Sequence, residues 1–495
     1  MAVVISIDAG TTGVRAFAVD EHGVPCGLRT REISQYFPRP GWVEHDPDEI
    51  WSTTQAVLHD LLADLDGPSV AAIGIANQRE TIVAWSRTTG RPLARAIVWQ
   101  DRRTSARCDD LIADGLEPLI RSRTGLVLDP YFSATKIEWL LRNTEVGANR
   151  DALFGTIDSW LLWNLTGGTA ASGAVHATDA SNASRTMLFD IRAGEWEHEL
   201  CERFGVARHQ LPRVTASIGT IARTAPGLTV AAGIPISGVL GDQQAALLGQ
   251  ACLEPGMAKN TYGTGSFVLC NVGDRCPDAV DGLLTTVAWQ IGSTRTYAYE
   301  GAIFVTGAAL QWLRDGLGMI TRADEIGPLA ARCAGTDGVY FVPALTGLGS
   351  PWWDSHARGM VIGITRGTTR AHLARATLEA IAFQTRDVVD LMCRASGTPL
   401  RELRVDGGAA VIDLLLEMQA DQLGVAVVRA TTSESTALGA ACAAGIGAGV
   451  WNTGDIEANW STDRRFEPRA DRRSEADRTH AQWLRAVDRA RDWDQ

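Results

Sequence analysis

The chain has 495 residues, 45% of them hydrophobic, enough for two cores, since single cores stop growing near roughly 250–300 residues. A formal net charge of −12 and a pI near 5.3 exclude a surface for nucleic acid or anionic membrane, both of which need concentrated positive potential. The expected partner is a small molecule, and the expected organisation is two domains, residues 1–250 and 251–495.

Of the 46 basic residues only Lys136 and Lys259 are lysines, so an anion must be held mainly by backbone amides, hydroxyls and arginines. No GxxxxGK[ST] segment is present, which removes the P-loop as a phosphate cradle. The nine cysteines form no CxxC pair, which fits unpaired thiols in a reducing cytosol and argues against cysteine metal sites. The start, MAVVISIDAG, has neither a basic end nor a long apolar run and reads as a buried strand rather than a signal peptide.

VVISIDAGTTGVRAFAVDEHGVPC predicts a strand over 3–7, a Gly/Thr turn over 8–13, a strand to 19 and a hairpin at 21–23. Helical patterns follow over 50–65 and 135–141, with strands over 70–75 and 81–85. Residues 228–253 and 436–451 approach the length of a membrane span. Their Gly and Ala content, with Pro235 and Asp242 in the first, predicts closely packed strand-turn-helix units instead.

Within 228–253, in GDQQAALLGQ, Asp242 is the only formally charged residue. A carboxylate in such surroundings is costly unless it is paired, bound to metal or kept for catalysis; a structural helix N-cap is the alternative. A second Gly-Thr-Gly turn in GMAKNTYGTGSFVLCN, again between apolar runs, predicts duplicated halves facing one another. Farther on come a strand over 339–342 and a helix over 371–392. LRVDGGAAVIDLLLEMQADQLG predicts a strand over 403–405 and a helix over 409–423, either an anion platform at the Asp-Gly-Gly turn or a plain connection. The charged C-terminal residues predict a docked helix with Trp483 and Trp493 on one face. The alternation of strands and helices indicates an α/β class.

The strings DAGTTG, GWVEHDP, NQRETIVAW from Asn77, IVWQDRRT from Ile97, DPYFSATK, ASNASRTMLFD, GDQQAALLGQ, KNTYGTGSF, GAIFVTGAALQWLRD and TGLGSPWWD occur in family order between Ile5 and about Trp451. In them the chain closely resembles the FGGY carbohydrate kinase family, in its glycerol-phosphorylating branch. The resemblance implies an α/β fold of two actin-like, ribonuclease-H-like domains around a central cleft, the first holding the polyol and the base, the second most of the nucleotide surface. It implies ATP-dependent, Mg²⁺-assisted phosphorylation of glycerol to glycerol 3-phosphate by a cytoplasmic homo-oligomer, a dimer or tetramer, without a membrane span.

By the same resemblance Asp242 is the general base, and Asp8 and Asp242 hold Mg²⁺. Thr11, Thr12, Gly13 and Arg15 meet the phosphates from the first turn. Thr264 and Gly265 meet them from the second, with Gly307, Gln311 and Gly408 beside the nucleotide. Arg79, Glu80, Tyr131, Asp242 and Gln243 take the hydroxyls of glycerol, and Trp99 and Phe267 wall its carbons. The competing readings are another small polyol, such as erythritol or dihydroxyacetone, and a non-catalytic nucleotide or polyol sensor. Against the sensor, Asp8, Asp242 and Thr264 are all present.

Some positions depart from the family pattern. Ile412 and Asp413 stand where members commonly carry an Asn pair near the adenine, and Arg429-Ala430 replaces Arg-Pro. Between 220 and 238 there is neither the loop linked to fructose bisphosphate inhibition nor a phosphorylatable histidine, which implies insensitivity to both controls.

Overall fold

The computed structural model describes residues 2–65 and 67–494. Its first strand, β1 (Ala2–Ala9), buries Val3, Val4, Ile5 and Ile7 almost completely, as β-branched side chains do when a sheet is covered on both faces. The chain turns through Gly10 into antiparallel β2 (Gly13–Asp20), and β3 (Pro25–Glu32) completes a meander. Helix α1 (Pro47–Asp64) starts on Asp46, which accepts the Asp48 amide at 2.9 Å, with proline in the first turn. β4 (Ser69–Asn77) runs parallel to β1, and β5 (Pro235–Gly241) parallel to β4. The spatial order is therefore 3-2-1-4-5.

The second half repeats it. β6 (Met257–Tyr262), β7 (Ser266–Gly273) and β8 (Thr294–Ile303) form an antiparallel meander. β9 (Glu402–Asp406) and β10 (Val427–Ala430) extend it in parallel on the other side of β6. This is the duplicated α/β architecture that the two Gly/Thr turns and the resemblance imply. Strands Ile218–Arg223 and Leu284–Ile291 meet at one pair, Ile218 opposite Ile291, and so join both arrays into a 13-stranded sheet.

Helices pack on and around the sheet, among them α2 (Asp242–Gly249), α3 (Gly307–Gln311), α4 (Arg370–Ser396), α5 (Asp413–Leu423), α6 (Ser435–Gly447) and α7 (Arg473–Ala490), the last resting on α4 and α5. α6, from the second half of the chain, lies against β4, β5 and α2 of the first. Ser6 and Ser237 donate to its Ala437 and Ala444 carbonyls at 2.7 and 2.8 Å. A methyl group on Gly439 would stand 1.8 Å from the Ala245 carbonyl oxygen, so the Gly/Ala content of 228–253 and 436–451 serves close helix packing. Among the described residues no helix is long and apolar enough to cross a membrane.

Two predicted helices are corrected. The one placed over 409–423 begins at Asp413, because Gly408–Val411 forms a 3-10 turn and Ile412, in extended backbone, drives its side chain into the core. Trp483 and Trp493 do not share a helix face. Trp483 is buried and donates to Asp387 at 2.8 Å, whereas α7 stops at Ala490 and Trp493 is 72% exposed. The chain leaves the helix there because the Asp492 amide donates to Asp354 and the Asp494 amide to the His356 carbonyl, at 3.0 and 3.1 Å.

Candidate active site

Asp242 opens α2 directly after β5, so it sits at the C-terminal end of a strand interior to the sheet. It is not the N-cap; Gly241 is. Its carboxylate accepts the Gln243 amide at 2.7 Å and faces Arg79 Nε at 3.2 Å, with 28% of the side chain exposed. Burial raises its pKa, against the pull of Arg79 and Lys259. The charge that Asp242 lacks in its own sequence neighbourhood thus arrives from the bend after β4.

That bend holds Arg79 and Glu80. Glu80 sits at φ 61°, a left-handed conformation that costs a non-glycine residue on the order of 1 kcal/mol. The conformation is held by Ser133, whose hydroxyl donates to the Glu80 carbonyl at 3.0 Å, and by Arg185, which donates to the carboxylate at 2.7 Å. Arg79 grips Glu300 through both terminal nitrogens, at 2.5 and 3.0 Å, and donates to the Tyr131 hydroxyl at 3.2 Å. Arg185 also donates to Glu300, at 3.0 Å. Burial works to raise the Glu300 pKa, but Arg185 and Arg79 together bring it down to about 2. The outcome is a sealed, alternating lattice of two guanidinium groups and two carboxylates, with Asp242 at its open end.

Trp99, Tyr131 and Phe267 stand around this lattice. The Trp99 ring lies edge-on to Tyr131 at 5.5 Å and to Phe267 at 6.4 Å, and the Arg79 guanidinium lies 5.8 Å from the Phe267 ring. Gln243, 8% exposed, follows Asp242 on α2. The structure therefore brings together every residue expected to meet the polyol. Glu300, Arg185 and Lys259 belong to the same cluster and were not among the residues read from the sequence. Glu300 carried a usable signal: it is the only formal charge between 296 and 313.

The first turn adjoins this cluster. Asp8, at the end of β1, accepts from Arg15 at 3.0 Å, and Arg15 also faces Glu434 at 3.5 Å. Burial, and secondarily the nearby Asp242 charge, push Asp8 up to about 6 in spite of Arg15. Thr11 accepts the Trp99 indole N–H at 2.9 Å, so the first Gly/Thr turn and the Trp99 ring are tied together. Thr12 is exposed, and the Gly10 amide donates to the Gly13 carbonyl at 2.9 Å.

The second turn is clamped by the start of α3. The Thr264 carbonyl accepts the Thr306 and Ala308 amides at 2.9 and 3.0 Å, and a Cβ on Gly307 would come within 2.6 Å of the Gly263 carbonyl oxygen. This leaves the Thr264 side chain exposed beside Gly265. Gln311 stands exposed on the same half without a side-chain hydrogen bond among the described residues, and Gly408 is exposed there as well. Asp413 is occupied: Arg429 and Arg464 donate to its two oxygens at 2.8 and 2.5 Å.

For a divalent ion the donors present are the carboxylates of Asp8 and Asp242 and the turn hydroxyls. Among the described residues no group of three or more His, Cys, Asp or Glu is arranged as a metal cage. An all-oxygen set with few protein ligands suits Mg²⁺, which keeps waters and takes further oxygens from substrate phosphates. Arg15 offsets the burial of Asp8 only in part, and such a cation would offset the rest.

Two family models match the chain: the FGGY family of carbohydrate kinases, N-terminal domain, over residues 3–249, and its C-terminal domain over residues 258–448. The chain belongs to this family. It is 52% identical to the glycerol kinase of Citrifermentans bemidjiense, with 100% of both chains covered. It is 50% identical to that of Carboxydothermus hydrogenoformans, over 99% of this chain and 98% of the relative. Among solved structures it is similar to Plasmodium falciparum glycerol kinase with ADP, at a TM-score of 0.92 and 34% identity over 99% of this chain and 98% of that one.

Proposed function

We infer that the chain transfers the terminal phosphoryl group of ATP to glycerol, with Mg²⁺, giving glycerol 3-phosphate and ADP. The observation that carries this reading is the placement of Asp242, a partly exposed carboxylate oriented by Arg79 at 3.2 Å at the open end of a buried polar lattice. The full-length identity to glycerol kinases supports it.

Phosphoryl transfer needs in-line positioning, charge neutralisation at the phosphates and a base at the attacking hydroxyl. Asp242 accepts the hydroxyl proton as the new O–P bond forms and the bond from the terminal phosphorus to the bridging oxygen breaks. Thr11, Thr12 and Gly13, with Arg15, hold phosphate oxygens from one side; Thr264 and Gly265 hold them from the other. Gly307, Gln311 and Gly408 flank the rest of the nucleotide. Asp8, with Asp242, is the residue that would hold Mg²⁺, which when bound neutralises phosphate charge.

Arg79 can only donate, while Asp242 and Glu80 when ionised can only accept, so the pocket specifies the hydrogen-bond polarity at each hydroxyl. A substrate lacking one hydroxyl leaves a buried group unpaired, which supports discrimination on the order of 10⁴. The two halves, 1–250 and 251–495, are read as the two domains of the kinase. A cytoplasmic location, to which the nine free cysteines are suited, and a dimer or tetramer complete the reading.

The test is Asp242→Asn, which removes the base and nearly preserves volume. Turnover falls by orders of magnitude while the glycerol dissociation constant changes little; equal loss of both would assign Asp242 to binding or folding instead.

A further inference from the structure

Both lysines of the chain, set against 44 arginines counted as 46 basic residues less these two, are fully buried. Each is bonded beside the pocket. Lys136 gathers the carbonyls of Pro130, Tyr131 and Phe132. Lys259, on β6 of the second half, donates to the Gln243 side-chain oxygen and, at 3.0 Å, to the Thr261 hydroxyl. A compact ammonium with three rotatable donors fits such converging oxygens, and a planar guanidinium does not.

An ammonium donates only. The Gln243 group facing Lys259 must therefore be its carbonyl oxygen, and the amide nitrogen must face the other way. That nitrogen has no protein partner among the described residues, yet it is not one of the sealed, unpartnered atoms. It is the accessible end of a side chain next to Asp242. Burial lowers the Lys259 pKa to about 8, so at neutral pH the group is still the ammonium.

We propose that Lys259 is a positioning residue which, by occupying the carbonyl oxygen of Gln243, makes Gln243 a hydrogen-bond donor only toward the substrate. The consequence is a direction for one proton. A hydroxyl that accepts from the Gln243 amide has its own O–H free to point at Asp242. With the amide reversed, the Gln243 oxygen would compete with Asp242 for that proton. Lys259 thus sets the hydrogen-bond polarity at the attacking hydroxyl from the opposite half of the molecule. The proposal rests on the reading of Gln243 as a glycerol contact.

The experiment is a double-mutant cycle on the full chain, with kcat and KM measured for glycerol and ATP. Lys259→Met lowers kcat/KM for glycerol by about 10- to 100-fold, the size of one lost hydrogen bond to a charged group, and leaves KM for ATP within about twofold. In a Gln243→Ala background the same substitution changes kcat/KM for glycerol by less than about threefold, because the group through which it acts is gone. Equal losses in the two backgrounds overturn the proposal. If Lys259→Met does not fold, the wild-type chain labelled with ¹³C at lysine Cε gives two signals, one for each lysine. Gln243→Ala moves one of them; two unmoved signals overturn the contact. Wild-type protein that does not phosphorylate glycerol would be a failure of the functional reading, and the labelling arm would still decide the Lys259 contact.

Discussion

Replacing Glu300 by Gln removes one charge and almost no volume from a residue with 0% exposure. In the native protein Glu300 accepts from Arg79 at 2.5 and 3.0 Å and from Arg185 at 3.0 Å. Its pKa falls from 4.5 to about 2, which corresponds to about 3 kcal/mol of stability at neutral pH. The cost of breaking a buried ion pair by removing one partner, roughly 3–5 kcal/mol, is of the same size. Because the folded-state pKa is depressed, this stability is fully present above the unfolded value near 4.5 and is lost as pH falls through about 2. Urea unfolding should therefore place Glu300→Gln about 3 kcal/mol below wild type, with a gap that is flat from pH 7 to 5 and narrows below about pH 4. Arg79, released from Glu300, is drawn to Asp242 and weakens it as a base, so kcat/KM for glycerol falls by roughly 100-fold. A variant within about 0.5 kcal/mol of wild type, the scatter of ordinary surface substitutions, would refute the idea that Glu300 anchors the pocket.

Asp158 provides the opposite sign. It is fully buried between the Thr156 and Thr178 hydroxyls, and burial, with Asp179 nearby, raises it to about 7. Stability linked to it is fully present below about 4 and is lost as pH rises through 7, so Asp158→Asn should stabilise the protein at pH 8 by about 4 kcal/mol and have little effect near pH 4. Urea midpoints at the two pH values check this; destabilisation at pH 8 contradicts it. Trp99→Phe keeps the pocket wall but drops the bond to Thr11, so KM for ATP should rise about fivefold and KM for glycerol less; the reverse pattern in steady-state kinetics would disprove the link between wall and turn. Fructose bisphosphate titrated into the assay should produce no saturable inhibition, and a tight inhibition curve would show a regulatory site outside 220–238.

The parts of the site that were legible in the sequence are those whose signal is local. The first turn could be read because a β-branched run stops at Asp8 and gives way to Gly10, Thr11 and Thr12. Asp242 stood out because no other charge lies between 228 and 253. Glu300 is isolated in the same way, but it lies within a strand rather than at a turn, where an inward carboxylate looks like ordinary alternation. Arg185 and Lys259 are recognisable only through partners brought in by folding: Glu300 lies 115 residues from Arg185, on the other half of the chain. Strand order was illegible for the same reason, since β1 pairs with β4 across an intervening helix; the resemblance supplied it. The misplaced start of α5 has a local cause. Ala409, Ala410 and Val411 look helical, but burial of the Ile412 side chain fixes the backbone there as extended.

The central claim is tested most directly by steady-state phosphorylation of glycerol beside erythritol, dihydroxyacetone and xylulose, with ATP and Mg²⁺. Glycerol should be preferred in kcat/KM by orders of magnitude, because on the proposed reading Arg79, Glu80, Tyr131, Asp242 and Gln243 take its hydroxyls and Trp99 and Phe267 limit the room for a longer carbon skeleton. A higher kcat/KM for one of the other three, or no turnover of any, would contradict the account.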